Sequence, residues 1–96
     1  MPIVTVVAKL VVKEDSLETV KTELLKMIGP TRQETGCIEY RLHQDNDNPA
    51  LFIFYENWQS MEALTSHISS QHYQSYVSAV AGLIAEKSVH KMTCIA

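Results

Sequence analysis

The segment from Glu56 to Tyr76, ENWQSMEALTSHISSQHYQSY, gathers most of the side chains in this chain that could take part in chemistry. It holds carboxylates, the only Trp, two of the four His and two of the four Tyr. Small-molecule sites are mostly apolar cavities with a few well-placed polar groups, and this mixture of imidazoles, carboxylates and aromatic rings suits such a cavity. For Trp58, Tyr73 and Tyr76, ordinary core packing is the alternative explanation.

Three polar side chains are harder to attribute to packing. His67 is predicted to lie on an apolar helix face. His72 follows Ser70, a predicted N-cap, and a helix N-terminus keeps an imidazole neutral and offers N–H groups to an anionic oxygen. Glu56 lies within an apolar strand, where a buried carboxylate must find a partner or raise its pKa. We predict that Glu56 either pairs with Arg41 or a histidine, or orients a catalytic histidine.

Motifs for metals and cofactors are absent from the sequence. It contains no GxGxxG, P-loop, HExxH or GxSxG pattern. The histidines of HISSQH lie five residues apart, whereas metal ligands on one helical face are typically four apart. The sequence therefore predicts neither a metal site nor a bound cofactor.

The first half of the chain predicts a strand, a helix and a hairpin. Residues 3–12, IVTVVAKLVV, are rich in β-branched residues and apolar on both alternating faces. Asp15 and Glu18 form a capping-box pattern before a periodic helix that is disturbed at Gly29-Pro30 and ends by Gly36. The runs CIEYRLHQD and LFIFYENW, joined by NDNP, predict two hairpin strands.

The second half predicts a divided helix and a final strand. Ser60 and Ser70 are predicted N-caps, and helical periodicity extends to Ile84. The tail SVHKMTCIA alternates like a strand. The order strand, helix, strand, strand, helix, strand predicts an α+β, ferredoxin-like βαββαβ fold with a four-stranded antiparallel sheet. Helices would cover one sheet face, so we expect the other, apolar face to form a homodimer interface.

Composition and charge limit the domain count, the partners and the cellular location that we expect. The 96 residues suffice for one domain, 1–96. The net charge is -3 and the basic residues are scattered, so we expect no nucleic acid partner. No apolar stretch is long enough for a membrane span, and the N-terminus does not resemble a signal peptide, so a cytoplasmic location is expected. We expect Cys37 and Cys94 to be reduced, buried thiols.

Residues 36–76 carry motifs that resemble those of the antibiotic biosynthesis monooxygenase domain family, and the resemblance spans essentially the whole chain. Its pattern has Gly-Cys before strand two, an acidic-Asn turn, E-x-W at the end of strand three, and an A-L-x-x-H…S-x-H-[YF] helical region. The matching residues are Gly36, Cys37, Tyr40, Asp45, Pro49, Phe52, Glu56, Trp58, Leu64, His67, His72 and Tyr73. The resemblance implies a dimeric α/β barrel. It also implies one of several activities: oxidation of quinols or polyketide anthrones by O2 without metal or flavin, haem degradation, or isomerisation of a phosphorylated sugar.

Departures from the family patterns separate these activities. Haem degraders have a Trp at the position of His67, a catalytic His at that of Val77 and an Asn in the first strand, so haem is disfavoured. The polyketide oxidase has an Asn at the position of Phe54 and a Tyr at that of Leu64. The quinol oxidase and the isomerase match better, through His67 and His72.

The leading hypothesis is therefore a cofactor-independent monooxygenase acting on a small phenol or hydroquinone. In this hypothesis His67 is the base, Glu56 or Tyr40 orients it, and His72 binds the oxyanion. The expected substrate-binding residues are Trp58, Tyr40, Tyr73 and Phe54. The alternatives are a proton-transfer isomerase of an enolisable, possibly phosphorylated, carbonyl compound and a non-catalytic dimer that binds a small ligand.

Overall fold

A computed structural model describes residues 2–96. Its elements in chain order are β1 (Val4–Val12), a 3-10 turn (Glu14–Ser16), α1 (Leu17–Lys26), α2 (Ile28–Arg32), β2 (Cys37–Gln44), β3 (Leu51–Trp58), α3 (Met61–Ile68), α4 (Gln71–Ala79) and β4 (Ile84–Met92). The strands form one sheet in the order β2-β3-β1-β4, with every neighbouring pair antiparallel. This confirms the predicted ferredoxin-like α+β fold.

The two faces of the sheet have different surroundings. On β1, Val6 and Leu10 are buried beneath the helices, whereas Val7 and Val11 are only half-buried on the opposite face. Because β1 is a central strand, its apolar residues on both faces account for the nearly continuous hydrophobic run in the sequence. We refer to the second face as the open sheet face.

The divided helix begins where its serine caps predict. Ser60 Oγ accepts a hydrogen bond from the Ala63 amide at 3.1 Å, and Ser70 Oγ accepts one from the Tyr73 amide at 3.3 Å. The prediction that helix continues to Ile84 is wrong, because α4 ends at Ala79 and Ile84 begins β4. A turn with Gly82 at φ 79° separates the two elements, a conformation that glycine adopts without strain.

Other local predictions need correction. Asp15 lies in the 3-10 turn and does not cap α1, whose N-cap residue Ser16 makes no side-chain cap bond. Cys94 is exposed rather than buried, and Cys37 is half-buried. Among residues 2–96, no helix has the length and apolar character needed to span a bilayer.

The open sheet face carries a polar chain beside its apolar residues. Thr5 donates to Asn57 Oδ1 at 2.6 Å, Asn57 donates to Glu39 Oε1 at 2.9 Å, and Glu39 pairs with Arg41 at 2.6 Å. Arg41 therefore lies on the face opposite Glu56, and the predicted pairing of these two residues is wrong. The apolar side chains of this face are Val7, Val11, Leu51, Ile53, Tyr55 and Met92, and Lys9 lies among them opposite Ile53.

Gly36 brings the loop before β2 into close contact with α3. A Cβ atom at this position would overlap the Cβ of Ala63, far inside van der Waals contact. The Gly36 carbonyl also accepts a hydrogen bond from the Gln59 amide at 2.9 Å. The loop is therefore tied by a backbone hydrogen bond to Gln59, one residue before the Ser60 cap of α3.

We predict that Gly36→Ala lowers the free energy of unfolding by about 1–3 kcal/mol, because the added methyl overpacks this contact. Gly29→Ala is the matched control, since nothing lies within 4 Å of its added Cβ. Because Gly29 lies in α2, alanine at this position should raise the free energy of unfolding by about 0.5–1 kcal/mol. Urea unfolding curves measure both, and Ala63→Gly should restore stability to Gly36→Ala. Equal effects of the two glycine substitutions would contradict the packing argument.

Candidate active site

A cavity of about 50 Å³ lies between the helix-covered face of the sheet and helices α3 and α4. Its lining is mostly apolar and aromatic, with Glu56 and His67 among the polar groups, and consists of Val6, Ala8, Leu10, Tyr40, Phe54, Glu56, Leu64, His67, Ile68, Tyr73, Tyr76, Lys87 and Val89. Five of the seven predicted site residues therefore meet at one cavity. The other two, Trp58 and His72, lie outside its lining.

His67 is held in the cavity wall by Glu34. Its Nδ1 lies 2.7 Å from Glu34 Oε2, and its side chain is 2% exposed. A carboxylate can only accept a hydrogen bond, so Nδ1 of His67 carries the proton. In the neutral ring the lone pair is therefore on Nε2. Among the described residues, no hydrogen bond occupies Nε2. The ring that lines the cavity thus has the tautomer required of a general base.

The environment of His67 favours the neutral imidazole. Burial lowers the pKa of His67. The hydrogen bond and the charge of Glu34 raise this pKa, and nearby His72 lowers it. The net shift is downward from 6.5. His67 is therefore unprotonated at neutral pH, as a proton acceptor must be.

Aromatic rings fix the plane of the His67 imidazole. Trp58 lies against one side at a centroid distance of 4.7 Å, and Tyr73 and Tyr40 approach edge-on at 5.1 Å and 5.6 Å. Trp58 is fully buried. It supports the catalytic candidate from behind instead of contacting the cavity.

His72 binds the same carboxylate oxygen from the other side. Its Nε2 lies 2.8 Å from Glu34 Oε2 and 3.3 Å from Ser70 Oγ. His72 lines a separate surface groove together with Gln71 and Ser75. Because it faces away from the cavity and its Nε2 is occupied by Glu34, the structure does not support the predicted role of His72 in oxyanion binding.

Glu34 is the site residue that sequence reasoning missed. It lies in the loop between α2 and β2, 33 residues before His67 and 38 before His72. No local spacing pattern connects residues so far apart. The predictions assigned the orienting role to Glu56 or Tyr40, and the structure gives the contact with His67 Nδ1 to Glu34.

The three residues Glu34, His67 and His72 also form the one group among residues 2–96 whose ligand-type atoms all lie within 4.8 Å of one another. The two histidines meet because they belong to different helices, so the one-helix spacing rule used above does not apply. The N···O distances of 2.7 and 2.8 Å are those of charge-assisted hydrogen bonds. Ligands of a tetrahedral ion at about 2.0–2.1 Å would be about 3.3 Å apart, so a metal would require this group to open.

Glu56 provides a second polar group at the inner part of the cavity. Its Oε1 accepts the Trp58 indole N–H at 2.9 Å, and the residue is 5% exposed. Burial raises its pKa to about 7, against the lowering effect of the Trp58 hydrogen bond and with a smaller raising effect from Glu34. Glu56 can therefore be a neutral donor or a charged acceptor near physiological pH.

The tyrosines of the cavity remain protonated phenols. Burial, and secondarily the charge of Glu56, raises the pKa of Tyr40 far above 10. Burial raises the pKa of Tyr76 to about 12, and it raises that of Tyr73 as well. These hydroxyl groups can donate hydrogen bonds to an oxygen that gains negative charge.

We predict that Glu56 makes stability fall as pH rises. Its pKa is about 7 in the fold against an ordinary value of 4.5, so the folded state holds more protons between these values. The free energy of unfolding due to this group should decrease, on the order of 3 kcal/mol, from pH 4.5 to about pH 7. Glu56→Gln keeps an acceptor for Trp58 and should exceed the wild type in stability at pH 8.

Urea unfolding at several pH values tests this prediction. The difference in the free energy of unfolding between the wild type and Glu56→Gln should shrink toward pH 4.5. Because both proteins contain His67, its contribution cancels in this difference. Glu62→Gln, an exposed carboxylate on α3, serves as the control and should give a curve parallel to the wild type. A pH-independent difference for Glu56→Gln would refute the assignment.

Comparison with known proteins identifies the family. Residues 3–79 match the family model described as "Antibiotic biosynthesis monooxygenase". The protein "Putative monooxygenase Rv0793" from Mycobacterium tuberculosis is 36% identical over 81 residues, covering 84% of this chain and 79% of its own. The protein sll1783 of Synechocystis sp. is 32% identical over 93 residues, which are 97% of this chain and 63% of that longer protein.

Solved structures agree with this match. PA3566 from Pseudomonas aeruginosa superposes with a TM-score of 0.95 at 26% identity, covering 100% of this chain and 97% of its own. The structure of Rv0793 gives a TM-score of 0.92 at 29% identity, with 98% and 96% covered. The family match over residues 3–79 and the 36% identity with Rv0793 show that this chain belongs to the antibiotic biosynthesis monooxygenase family.

Proposed function

We propose that this protein is a monooxygenase that oxidises a small phenol or hydroquinone with O2 and uses no metal or flavin. The observation that carries the proposal is His67, a neutral imidazole held by Glu34 with its free nitrogen in the wall of an apolar cavity. Family membership supports the same reaction class. An electron-rich phenol reduces O2 by itself once it is deprotonated, so a positioned base in a dry cavity is the main requirement.

The first step is proton transfer. His67 Nε2 accepts the phenolic proton, and the imidazolium that forms is stabilised by the Glu34 carboxylate on Nδ1. Deprotonation raises the electron density of the ring. The apolar lining excludes water that would otherwise stabilise the phenolate.

The redox steps balance without another reagent. The phenolate gives one electron to O2, and the resulting ring radical and superoxide combine to form a C–O bond. His67 returns its proton to the peroxide. The oxygenated ring carbon then loses its C–H proton as the O–O bond breaks, so that this carbon keeps one oxygen as a carbonyl and the departing hydroxide takes up the proton and leaves as water. A hydroquinone and O2 thereby give a hydroxyquinone and water, because the organic product gains one oxygen and loses two hydrogens, which leave with the second oxygen.

Polar groups of the cavity can stabilise the intermediate charges. Tyr40 and Tyr73 are protonated donors beside His67, and Glu56 in its neutral form is a third. Donors aimed at a developing oxyanion in a low-dielectric site contribute strongly to catalysis. We assign these residues to substrate binding and oxyanion stabilisation, a role that the sequence had suggested for His72.

The cavity must widen to admit a ring. A volume of about 50 Å³ is too small for an aromatic ring, whereas an engineered cavity of about 150 Å³ in another protein is known to bind benzene. Its outer wall includes the exposed side chains of Ile68, Lys87 and Val89, which can move at low cost. Entry from the β4 side is therefore the proposed route.

We predict that hydroquinones increase oxygen uptake by the wild-type protein and that His67→Ala reduces the rate about 10²–10⁴-fold, the usual contribution of a general base. Glu34→Gln should also reduce the rate, because the amide can donate to Nδ1 and favour the wrong tautomer. An oxygen electrode measures both, with protein treated with a chelator. His43→Ala is the control, since His43 is exposed on β2 and does not line the cavity.

The same assay separates the alternatives. A proton-transfer isomerase would use the same base and convert an enolisable carbonyl compound equally well without O2. A binding protein would hold the phenol without turnover in either atmosphere. If no hydroquinone in the panel is consumed faster by the wild type than by His67→Ala, the oxygenase proposal fails.

We also propose that the protein forms a homodimer through the open sheet face. Its half-buried valines, Ile53 and Tyr55 make an apolar patch, and the chain from Thr5 to Arg41 lines one end with satisfied polar groups. A twofold pairing of two such faces would bury the patch. This arrangement is the dimeric α/β barrel that the family resemblance implies.

The dimer proposal predicts that light scattering gives twice the 10.8 kDa chain mass over a wide concentration range. Tyr55→Glu should weaken dimerisation at least about tenfold, because it replaces an aromatic ring of the patch with a carboxylate that must lose its water in the interface. Met61→Glu, an exposed position on α3, is the control and should leave the mass unchanged. A monomeric mass for the wild type at all concentrations would refute the dimer.

A further inference from the structure

Lys87 is the one cationic side chain in the cavity lining, whose other members are apolar, aromatic or the polar pair His67 and Glu56. It lies on β4, the edge strand, opposite Leu10 of β1 and on the helix-covered side of the sheet. No salt bridge among residues 2–96 involves its ammonium group. Its charge is therefore available to a molecule that enters the cavity.

The strand register gives the distance between Lys87 and Glu56, the polar group at the inner part of the cavity. Glu56 lies opposite Val6, and Lys87 lies opposite Leu10, four residues further along the same strand. With strands about 4.8 Å apart and a rise of about 3.3 Å per residue, the two Cα atoms are about 16 Å apart. The two side chains shorten this span from both ends, and His67 lines the same cavity. A ring held between Glu56 and His67 could therefore direct an acidic substituent toward Lys87.

We propose that Lys87 is a specificity residue that selects substrates bearing an anionic oxygen group, a carboxylate or a phosphate ester, in addition to the phenolic ring. The ammonium group binds the anion at the mouth, while the ring occupies the apolar interior. This inference rests on the proposed function for the identity of the ring. The anion preference follows from the charge at the mouth.

A simpler role for Lys87 is protection of the sheet edge, where exposed lysines discourage pairing with another strand. Lys91 provides the control for that role. It is an exposed lysine on the same strand and the same side, opposite Val6, but it does not line the cavity. If Lys87 only protects the sheet edge, substitution of Lys87 or Lys91 should have the same effect. If Lys87 selects anions, only its own substitution should change anion binding.

Binding can be measured separately from turnover by the fluorescence of Trp58, the only Trp, which lies against His67. The ligands are 2,5-dihydroxybenzoate, its methyl ester and 4-hydroxyphenyl phosphate, so that the ester serves as the uncharged control and the two acids distinguish carboxylate from phosphate. We expect the wild type to bind at least one acid more tightly than the ester. The preference should weaken with added salt, which screens exposed charges.

Lys87→Ala should weaken binding of the preferred acid about two- to tenfold and leave the ester unchanged. Lys87→Arg should retain the preference, Lys87→Glu should reverse it, and Lys91→Ala should have no effect. Melting temperatures verify that each variant folds. Equal affinity of acid and ester for the wild type, or equal losses for Lys87→Ala and Lys91→Ala, would overturn the inference.

The outcomes distinguish this inference from the oxygenase proposal. If the acid is bound through Lys87 but no oxygen is consumed, the inference stands and the oxygenase proposal fails. If neutral hydroquinones are oxidised as rapidly as their acids and Lys87→Ala changes neither reaction, only the inference fails.

Discussion

The site depends on one carboxylate oxygen that is shared by two imidazoles. Oε2 of Glu34 accepts from His67 at 2.7 Å and from His72 at 2.8 Å, and the three residues come from a loop, from α3 and from α4. A buried or partly buried charge is costly unless it is paired, so this contact restrains all three segments together. The tautomer of His67, its ring orientation and the junction of the two helices all follow from the same interaction.

The rest of the fold keeps that interaction in place. Gly36 lets the loop approach α3 closely enough for the carboxylate to reach His67, and the Ser60 and Ser70 caps begin the two helices that carry the histidines. One uninterrupted helix would carry residues five apart on different sides of its axis. The break makes it possible for both rings to converge on one oxygen.

Much of this structure was predictable from the sequence, because local patterns report local structure. Periodicity and caps predicted the sheet, the hairpin and the starts of α3 and α4, and a polar residue in an apolar strand singled out Glu56. Boundaries were less certain where helical and strand periodicity overlap, as at Ile84. The orienting role of Glu34 was not predictable, since it depends on a contact between residues 33 positions apart in the chain. The same limitation produced the wrong pairing of Glu56 with Arg41, because only the strand register assigns them to opposite faces.

The inner and outer parts of the cavity are formed by elements that differ in burial. Its floor consists of central strands and buried aromatic rings, whereas its mouth belongs to an edge strand whose side chains are mostly exposed. Substitutions at Lys87 or Val89 can thus change which molecules enter without disturbing the hydrogen bonds behind His67. Under the proposed function, proteins that share His67 and its carboxylate partner would be free to diverge in substrate, and their preferences would follow from the edge strand instead of from the histidine.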